Sequence, residues 1–455
     1  MNSRKLNLAL CLTSVLLFLL YFFRFALQAQ GKPFWADEVD GVYGALLYDW
    51  GRLLHTGAPQ MSRSPFAYLV DRAMLSLWGD HPQLDWDLRV YLRLAPAFFW
   101  SLASAAIFPF AWAFLRKQFQ VHSLPLIYLI ALGASVFFYE NSFMNIYAIE
   151  TRAYSLWVGL STLQFCFWWN SIDRKATHSD RAPILLISAL MTFTTYAALG
   201  QVGILLAVDF WIRMRDTKLR NGKIDFYWWA AISLVCLFIT LWYMRYAGNY
   251  TYPPSPFSLY FESVLEVILK CFHHHGVQPA YITFPIFLLM IPILRWKETR
   301  VQAGVLFTWL SLALSLALFI ASMLKGGIYA SRYAIFLIPS LTWIYFLGMS
   351  TLLSFLFKGL ARIPKLASLR AHIEKGLIPA LALIALIEVS GGFKKFIGEI
   401  NQGLRLAESR NAYGKAKDLE LCKQPLVYLE EYSRYETPER LVKEFEELNS
   451  KCRGL

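Results

Sequence analysis

Apolar runs of about 20 residues, each long enough to cross the hydrocarbon of a bilayer as a helix, recur from Leu6 to Val389 in this 455-residue chain. They are rich in Leu, Phe and Trp. One water-soluble core cannot absorb so many such runs, so they read as repeated membrane spans. Composition agrees: 57% of residues are hydrophobic and 16% charged, against about 25% charged in an ordinary soluble domain. A soluble protein is excluded. The net charge of +13 must then be examined for sidedness between spans before any nucleic-acid reading is considered.

Eleven spans are expected. The first, Leu6 to Leu27, follows Arg4 and Lys5 and has no small-residue cleavage site before Lys32, so it reads as a retained helix. The others lie at about 92 to 115, 122 to 139, 153 to 169, 183 to 198, 200 to 212, 227 to 246, 280 to 294, 301 to 323, 334 to 357 and 377 to 391. The stretch from Pro183 to Ile212 reads either as one long tilted helix or as two short ones around Gly200. Arg174, Lys175 and Arg181 precede it, and Arg213, Arg215, Lys218, Arg220 and Lys223 follow it. Both flanks therefore belong on the cytoplasmic side, which requires an even number of crossings, and a hairpin satisfies that. With the N-terminus inside, short cytoplasmic segments collect 20 basic residues. The outer loops are poorer in Lys and Arg, so the orientation follows the usual bias. Trp168-Trp169, Trp228-Trp229 and Trp242-Tyr243 fall at span ends and read as interfacial anchors, and Arg24 and Asp209 as groups that snorkel from span ends. The division is a membrane domain over residues 1–391 and a polar tail over 392–455, which reads as small amphipathic helices on the outer face. Cys422 and Cys452 in that tail form a candidate pair.

The segment richest in chemistry is the first outer loop, residues 31–90. It opens on Phe34-Trp35-Ala36-Asp37-Glu38. Adjacent carboxylates just beyond a span are costly unless water, a cation or a substrate offsets their charge, which makes them a site hypothesis; the alternative is that both solvate a helix N-terminus. Further along, Ser62 to Gly79 carries Phe66, Leu69, Val70, Ala73, Met74, Leu77 and Trp78 at helical spacing with Asp71 and Arg72 on the other side. That predicts an amphipathic helix along the membrane surface, with Arg63 and Tyr68 near headgroups. The next outer loop clusters Glu140, Glu150, Arg152 and Tyr154, where Glu150 and Arg152 either pair with each other or serve the reaction. A third cluster is His273-His274-His275. Consecutive histidines cannot all face one metal from a regular helix, so a divalent ion would need other ligands, such as a first-loop carboxylate; interfacial or phosphate-facing roles are the alternative. Finally, Lys325-Gly-Gly precedes Tyr329, Arg332 and Tyr333, placing two cations at a membrane boundary where they suit a lipid phosphate or ordinary headgroup contact.

These segments share an order. A first span ending in Trp35-Ala36-Asp37-Glu38, a long outer loop with a Ser64-Pro65-Phe66-Ala67-Tyr68-Leu69 helix ending at Leu77-Trp78-Gly79, then Glu150-Thr151-Arg152-Ala153-Tyr154 and Ser331-Arg332-Tyr333 through Pro339, resembles the GT-C-type integral membrane glycosyltransferases. Within that class the chain looks most like protein mannosyltransferases, the lipid A aminoarabinose transferase and bacterial lipopolysaccharide-decorating enzymes. The resemblance covers about residues 10 to 345 and not the tail, and it departs from the family at the entry to the loop helix, where Arg63-Ser64-Pro65-Phe66-Ala67-Tyr68 replaces a His-Pro-Pro-Leu-Tyr-like run. It implies an all-α, GT-C-like bundle and a sugar donor on polyprenyl phosphate. It also implies a hydroxyl acceptor on lipid A, polysaccharide or protein, and inverting transfer at the outer face of a bacterial inner membrane. Asp37 is then expected as the general base, with Glu38 organising the loop or sharing a metal. Glu140 or Glu150 is the second acidic element. Arg332, Lys325, Arg63 and Arg152 are expected at the donor phosphate, with Tyr68, Tyr333 and His273 to His275 lining the substrate. No obligatory cofactor is implied, a divalent metal stays open, and nucleic acid is not a partner.

A transporter or lipid flippase is the rival from another class. It predicts inverted repeats, broken helices in matching halves and midplane charges, none of which the sequence displays.

Overall fold

The computed structural model describes residues 3–30, 45, 49–56, 65–78, 86–118, 124–141, 144, 147–195, 197–245, 258, 260, 262–264, 267, 280–325 and 331–362. Asp37, Glu38, Arg63, His273 to His275, the expected span at 377–391 and the tail at 392–455 lie outside them.

The described chain is all-helical. In order it forms α1 (Ser3–Gln30), α2 (Trp50–Thr56), α3 (Phe66–Trp78), α4 (Trp86–Gln118), α5 (Leu124–Tyr139) and α6 (Ala153–Ser171). It continues through α7 (His178–Thr194), α8 (Ala197–Arg215), α9 (Gly222–Met244), α10 (Ala280–Arg295), α11 (Thr299–Lys325), a 3-10 segment (Ser331–Leu337) and α12 (Ile338–Arg362). Ten of the eleven expected apolar runs coincide with helices. Among the described residues six helical stretches are long and apolar enough to cross a membrane, in α1, α4, α8, α9, α11 and the run from Ala334 to Leu352, and shorter apolar helices occur at Ile127–Tyr139 and Ile286–Arg295.

The helices display lipid-suited faces. On α1, Leu17, Tyr21, Phe25 and Ala29 recur every four residues and are buried, while Leu8, Leu12, Leu16 and Phe23 are exposed. On α9, Ile232, Cys236, Ile239 and Tyr243 turn inward, and Phe226, Leu234, Phe238 and Leu241 outward. Helices apolar on both faces suit a bilayer, where the outward side chains meet acyl chains and every internal peptide group is bonded within its own helix.

Helix α4 is central, with α1, α5 and α6 packed around it. Its Phe110 and Phe114 meet Trp343 of α12 at ring separations of 5.0 and 5.3 Å, and Trp169 of α6 lies 4.6 Å from Trp343 edge to face. Such tilted contacts suit the charge distribution of aromatic rings. Trp168 and Trp169 are fully buried, which corrects their reading as interfacial anchors. Trp168 is instead drawn inward because its indole N–H donates to Asp209 at 3.1 Å.

Where α4 and α6 cross, Gly159 permits direct backbone approach. A Cβ there would sit 2.8 Å from the Phe99 carbonyl oxygen, whereas one at Gly133 meets nothing within 4 Å. Small residues serve this purpose at membrane helix crossings. Gly159→Ala is expected to destabilise by about 1–3 kcal/mol, because the obstacle is backbone that cannot rotate aside. Gly133→Ala should be neutral or slightly stabilising through helix propensity. Thermal unfolding of the two variants in detergent checks this, and equal behaviour would refute it.

The stretch 183–212 is a hairpin of two helices, as its flanking charges require. The break is at Thr195, with extended backbone (φ −161, ψ 138). Gly200 lies inside α8, where a Cβ would come within 2.8 Å of Leu314 on α11, so it marks a helix contact and not the turn. The hairpin is closed by charge. Arg181 of α7 donates to Asp209 of α8 at 2.7 Å and to Asp225 of α9 at 2.9 Å, and Arg213 Nε lies 3.1 Å from Asp209. Trp168 and Trp229 add indole donors to Asp209. All four charged side chains are 0–1% exposed. This corrects two expectations: Asp209 does not snorkel, and Arg181 and Arg213 are internal partners, not solvated loop charges.

More ion pairs close the same end of the bundle. Asp173 joins Lys117 of α4 to Arg300 of α11. Burial alone would raise the Asp173 pKa, but the hydrogen bonds and charge of Arg300 and Lys117 outweigh it and hold the carboxyl below its ordinary value.

Candidate active site

The opposite end gathers those of the segments singled out in the sequence that lie among the described residues. Helix α1 arrives carrying Arg24, which is 8% exposed and pairs with Glu140 just beyond α5, with its Nη2 3.4 Å from Oε2. Isolated, either charge would be costly at that depth; together they offset much of that cost. Around them, Tyr21 and Tyr139 stack at 3.9 Å, Arg24 sits 5.3 Å over the Tyr139 ring, and the Tyr139 hydroxyl donates to the Tyr21 carbonyl at 3.2 Å. Tyr21 and Ser135 share a hydroxyl contact at 3.1 Å, and Ser135 donates onward to the Ser104 carbonyl. Arg24 is therefore held inward by a partner, which corrects its reading as a snorkelling group. Arg93, fully buried at the start of α4, donates to the Ala29 carbonyl at 3.2 Å and fixes the point where α1 delivers the chain into the acidic loop.

Helix α3 is present where its periodicity predicts, and it packs against α4, α6 and α7. Phe66 meets Phe99 edge to face at 6.1 Å. Tyr68 is half-buried on it. Its faces differ from the prediction: Asp71, expected on the polar side, is 4% exposed, and Leu77, expected on the apolar side, is 77% exposed. The reason is that α3 lies against other helices, so Asp71 and Leu75 one turn later share the packed face. Arg72 donates to the Ala45 carbonyl at 3.1 Å, tying α3 to the loop that follows Asp37 and Glu38. The loop is held a second time through α2, N-capped by Asp49, which accepts from the Arg52 amide at 2.7 Å. At its far end the Leu54 and His55 carbonyls accept from Tyr243 and Trp242 of α9.

Glu150 is 1% exposed in the tight turn before α6. Arg152 follows as the residue capping α6, its guanidinium 4.8 Å over the Tyr154 ring, and Tyr154 meets Tyr147 at 5.2 Å. The 3-10 segment bearing Arg332 and Tyr333 packs on α6 and α11, with Phe336 stacked on Trp157 at 5.4 Å. Lys325 is the last residue of α11. Thus the end of α1, helix α3, the turn bearing Glu150 and Arg152, and the 3-10 segment converge on one end of the bundle. Among the described residues no three His, Cys, Asp or Glu side chains form a metal-sized group. Buried Asp71 and Arg93 were not among the candidates. The signal for Arg93 was a cation inside an apolar run; for Asp71 there was none, since its burial depends on which helices α3 meets.

No family model matches the sequence, and no curated protein matches it. Solved structures do. ArnT from Cupriavidus metallidurans in its apo state aligns with a TM-score of 0.50 at 12% sequence identity, over 96% of this chain and 82% of that one. The chain has the fold of ArnT. The same protein bound to undecaprenyl phosphate aligns at a TM-score of 0.49, with the same identity and coverage. At this identity the likeness concerns the fold, and it agrees with the resemblance to GT-C membrane enzymes carried by the motifs.

Proposed function

We propose that the protein is a polyprenyl-phosphate-dependent glycosyltransferase of the membrane, moving a sugar to a hydroxyl acceptor at the outer face with inversion. The carrying observation is the convergence, in an ArnT-like fold, of the end of α1, helix α3, the turn bearing Glu150 and Arg152, and the 3-10 segment, the described parts of the stretches on which the sequence resemblance rests. ArnT is also a protein crystallised with undecaprenyl phosphate, which is in keeping with a lipid-phosphate donor.

The chemistry follows from the residue types. An acceptor hydroxyl attacks poorly until its proton is taken, and Asp37 is assigned as the base that takes it. The acceptor oxygen bonds to the anomeric carbon from the face opposite the leaving group. The bond from that carbon to the phosphate oxygen breaks, and its electron pair leaves with the polyprenyl phosphate. That phosphate gains negative charge, so cations directed at it lower the barrier. Arg332 is assigned this role first, with Lys325, Arg63 and Arg152 around it. Glu38 organises the loop, or shares a metal if one is bound. Tyr68, Tyr333 and the His273 to His275 run are assigned to the walls of the substrate space. Of the second acidic candidates, Glu140 is assigned as a brace, because its carboxylate is engaged by Arg24. Glu150 keeps the acidic role near the substrate. The N-terminus is read as cytoplasmic and the tail as periplasmic.

Incubating the purified protein with radiolabelled polyprenyl-phosphate sugars and candidate acceptors tests this. The expected result is label leaving the lipid for the acceptor, with stoichiometric release of polyprenyl phosphate. Transbilayer movement of lipid without any transfer would favour a flippase and overturn the reading.

A further inference from the structure

The end of the bundle away from the candidate active site carries charge that the transfer reaction does not use. Its acidic residues are engaged internally. Asp209 and Asp225 neutralise Arg181 and Arg213 in the buried cluster. Asp173 faces Lys117 and Arg300, and Asp180 forks onto Arg174 at 2.6 and 2.9 Å. On the surface formed by the two turns beside the buried cluster, Lys175, Arg215, Lys218, Arg220 and Lys223 are all exposed, with Asp216 as the acidic neighbour; Glu298, farther along the same end, is engaged by Arg295. Asp216 is itself turned to its own backbone, accepting from the Lys218 amide at 3.0 Å.

These cations stand on a rigid base. One nitrogen of Arg213, Nη1, donates to the Leu219 carbonyl at 2.7 Å and the Arg174 carbonyl at 3.1 Å, and Nη2 donates to Ser171 at 3.1 Å. Asn221 adds a bond to the Ala176 carbonyl at 3.0 Å. The two turns, 172–177 and 216–222, are thereby clamped edge to edge by the buried cluster. Beside the cations lies an apolar rim: Phe226, Tyr227, Phe210 and Trp211 are all exposed, and Arg215 sits 5.3 Å over the Trp211 ring. Cations bordered by aromatic side chains match a headgroup layer, where phosphate lies just above the first acyl carbons.

We propose that Lys175, Arg215, Lys218, Arg220 and Lys223 form a preorganised docking surface for anionic phospholipid headgroups. The argument rests on charge complementarity and on the apolar rim, and it stands apart from the glycosyltransferase assignment. Each basic side chain held at a lipid surface strengthens association by roughly fivefold at low salt, and the attraction is screened within a Debye length.

The test uses the full-length protein in detergent, titrated with phosphatidylglycerol or phosphatidylcholine and followed by native mass spectrometry at low salt. Wild type is expected to retain phosphatidylglycerol in preference to phosphatidylcholine. The triple variant Lys218→Gln, Arg220→Gln, Lys223→Gln should lose that preference by about 100-fold, with an unchanged unfolding temperature because all three side chains are exposed. Equal retention of the two lipids by wild type would overturn the proposal, as would a triple variant that keeps the preference. An excess of inorganic phosphate should compete poorly, since it cannot use the apolar rim; full displacement by free phosphate would mean a simple anion site and would also overturn it.

Discussion

Asp37→Asn is expected to leave donor binding intact and to slow sugar transfer by roughly 10²–10⁴-fold, the range a positioned general base contributes. Asparagine keeps the size and much of the hydrogen bonding of aspartate but cannot accept the acceptor's proton. The loss should therefore fall on turnover rather than on donor affinity, and a steady-state split between kcat and the donor KM reads this directly. Glu38→Gln should cost less, since its assigned role is to organise the loop. Near-normal turnover by Asp37→Asn would remove it from the reaction, whatever the fate of the glycosyltransferase assignment.

Asp209→Ala is the substitution expected to damage stability most, by about 3–5 kcal/mol, the usual cost of removing one partner from a buried ion pair. Its carboxylate accepts from Arg181, Arg213 and the indoles of Trp168 and Trp229, so truncation strands two cations of which only Asp225 remains to neutralise one. Replacing both charges, Asp209→Leu with Arg213→Met, should recover part of the loss, because a matched apolar pair strands no charge. Chemical unfolding in detergent compares the three proteins. A single variant as stable as wild type would show that the cluster contributes little.

Much of the architecture was legible because hydrophobic run length is a local property. The apolar helices, the helical extent of Phe66 to Trp78 and the hairpin between Arg181 and Arg213 all follow from short windows of sequence. Burial was less legible. A charge count treats Arg181 and Arg213 as solvated: Asp209 stands four residues before Arg213 on the same helix, but nothing within α7 reveals that Asp209 and Asp225 wait for Arg181 on neighbouring ones. Trp168 and Trp169 sit side by side at a span end, where lipid anchoring is the ordinary outcome, and only the position of Asp209 draws the first inward. Glu140 was readable as an acid but not as a paired one, since Arg24 lies on a distant helix. The order of motifs along the chain was legible; their convergence depends on helix packing that no motif encodes.

The Arg24 to Glu140 contact joins residues 116 positions apart, and this imposes a timetable on biosynthesis. At about 5–20 residues per second, the first span waits roughly 6–23 seconds before its partner leaves the ribosome. Throughout that interval the carboxylate that Arg24 will meet is still unmade. All of the chain between the two residues, Asp37 and Glu38 included, has been made before the pair can close, so the contact is a late fastening between an early helix and a later one.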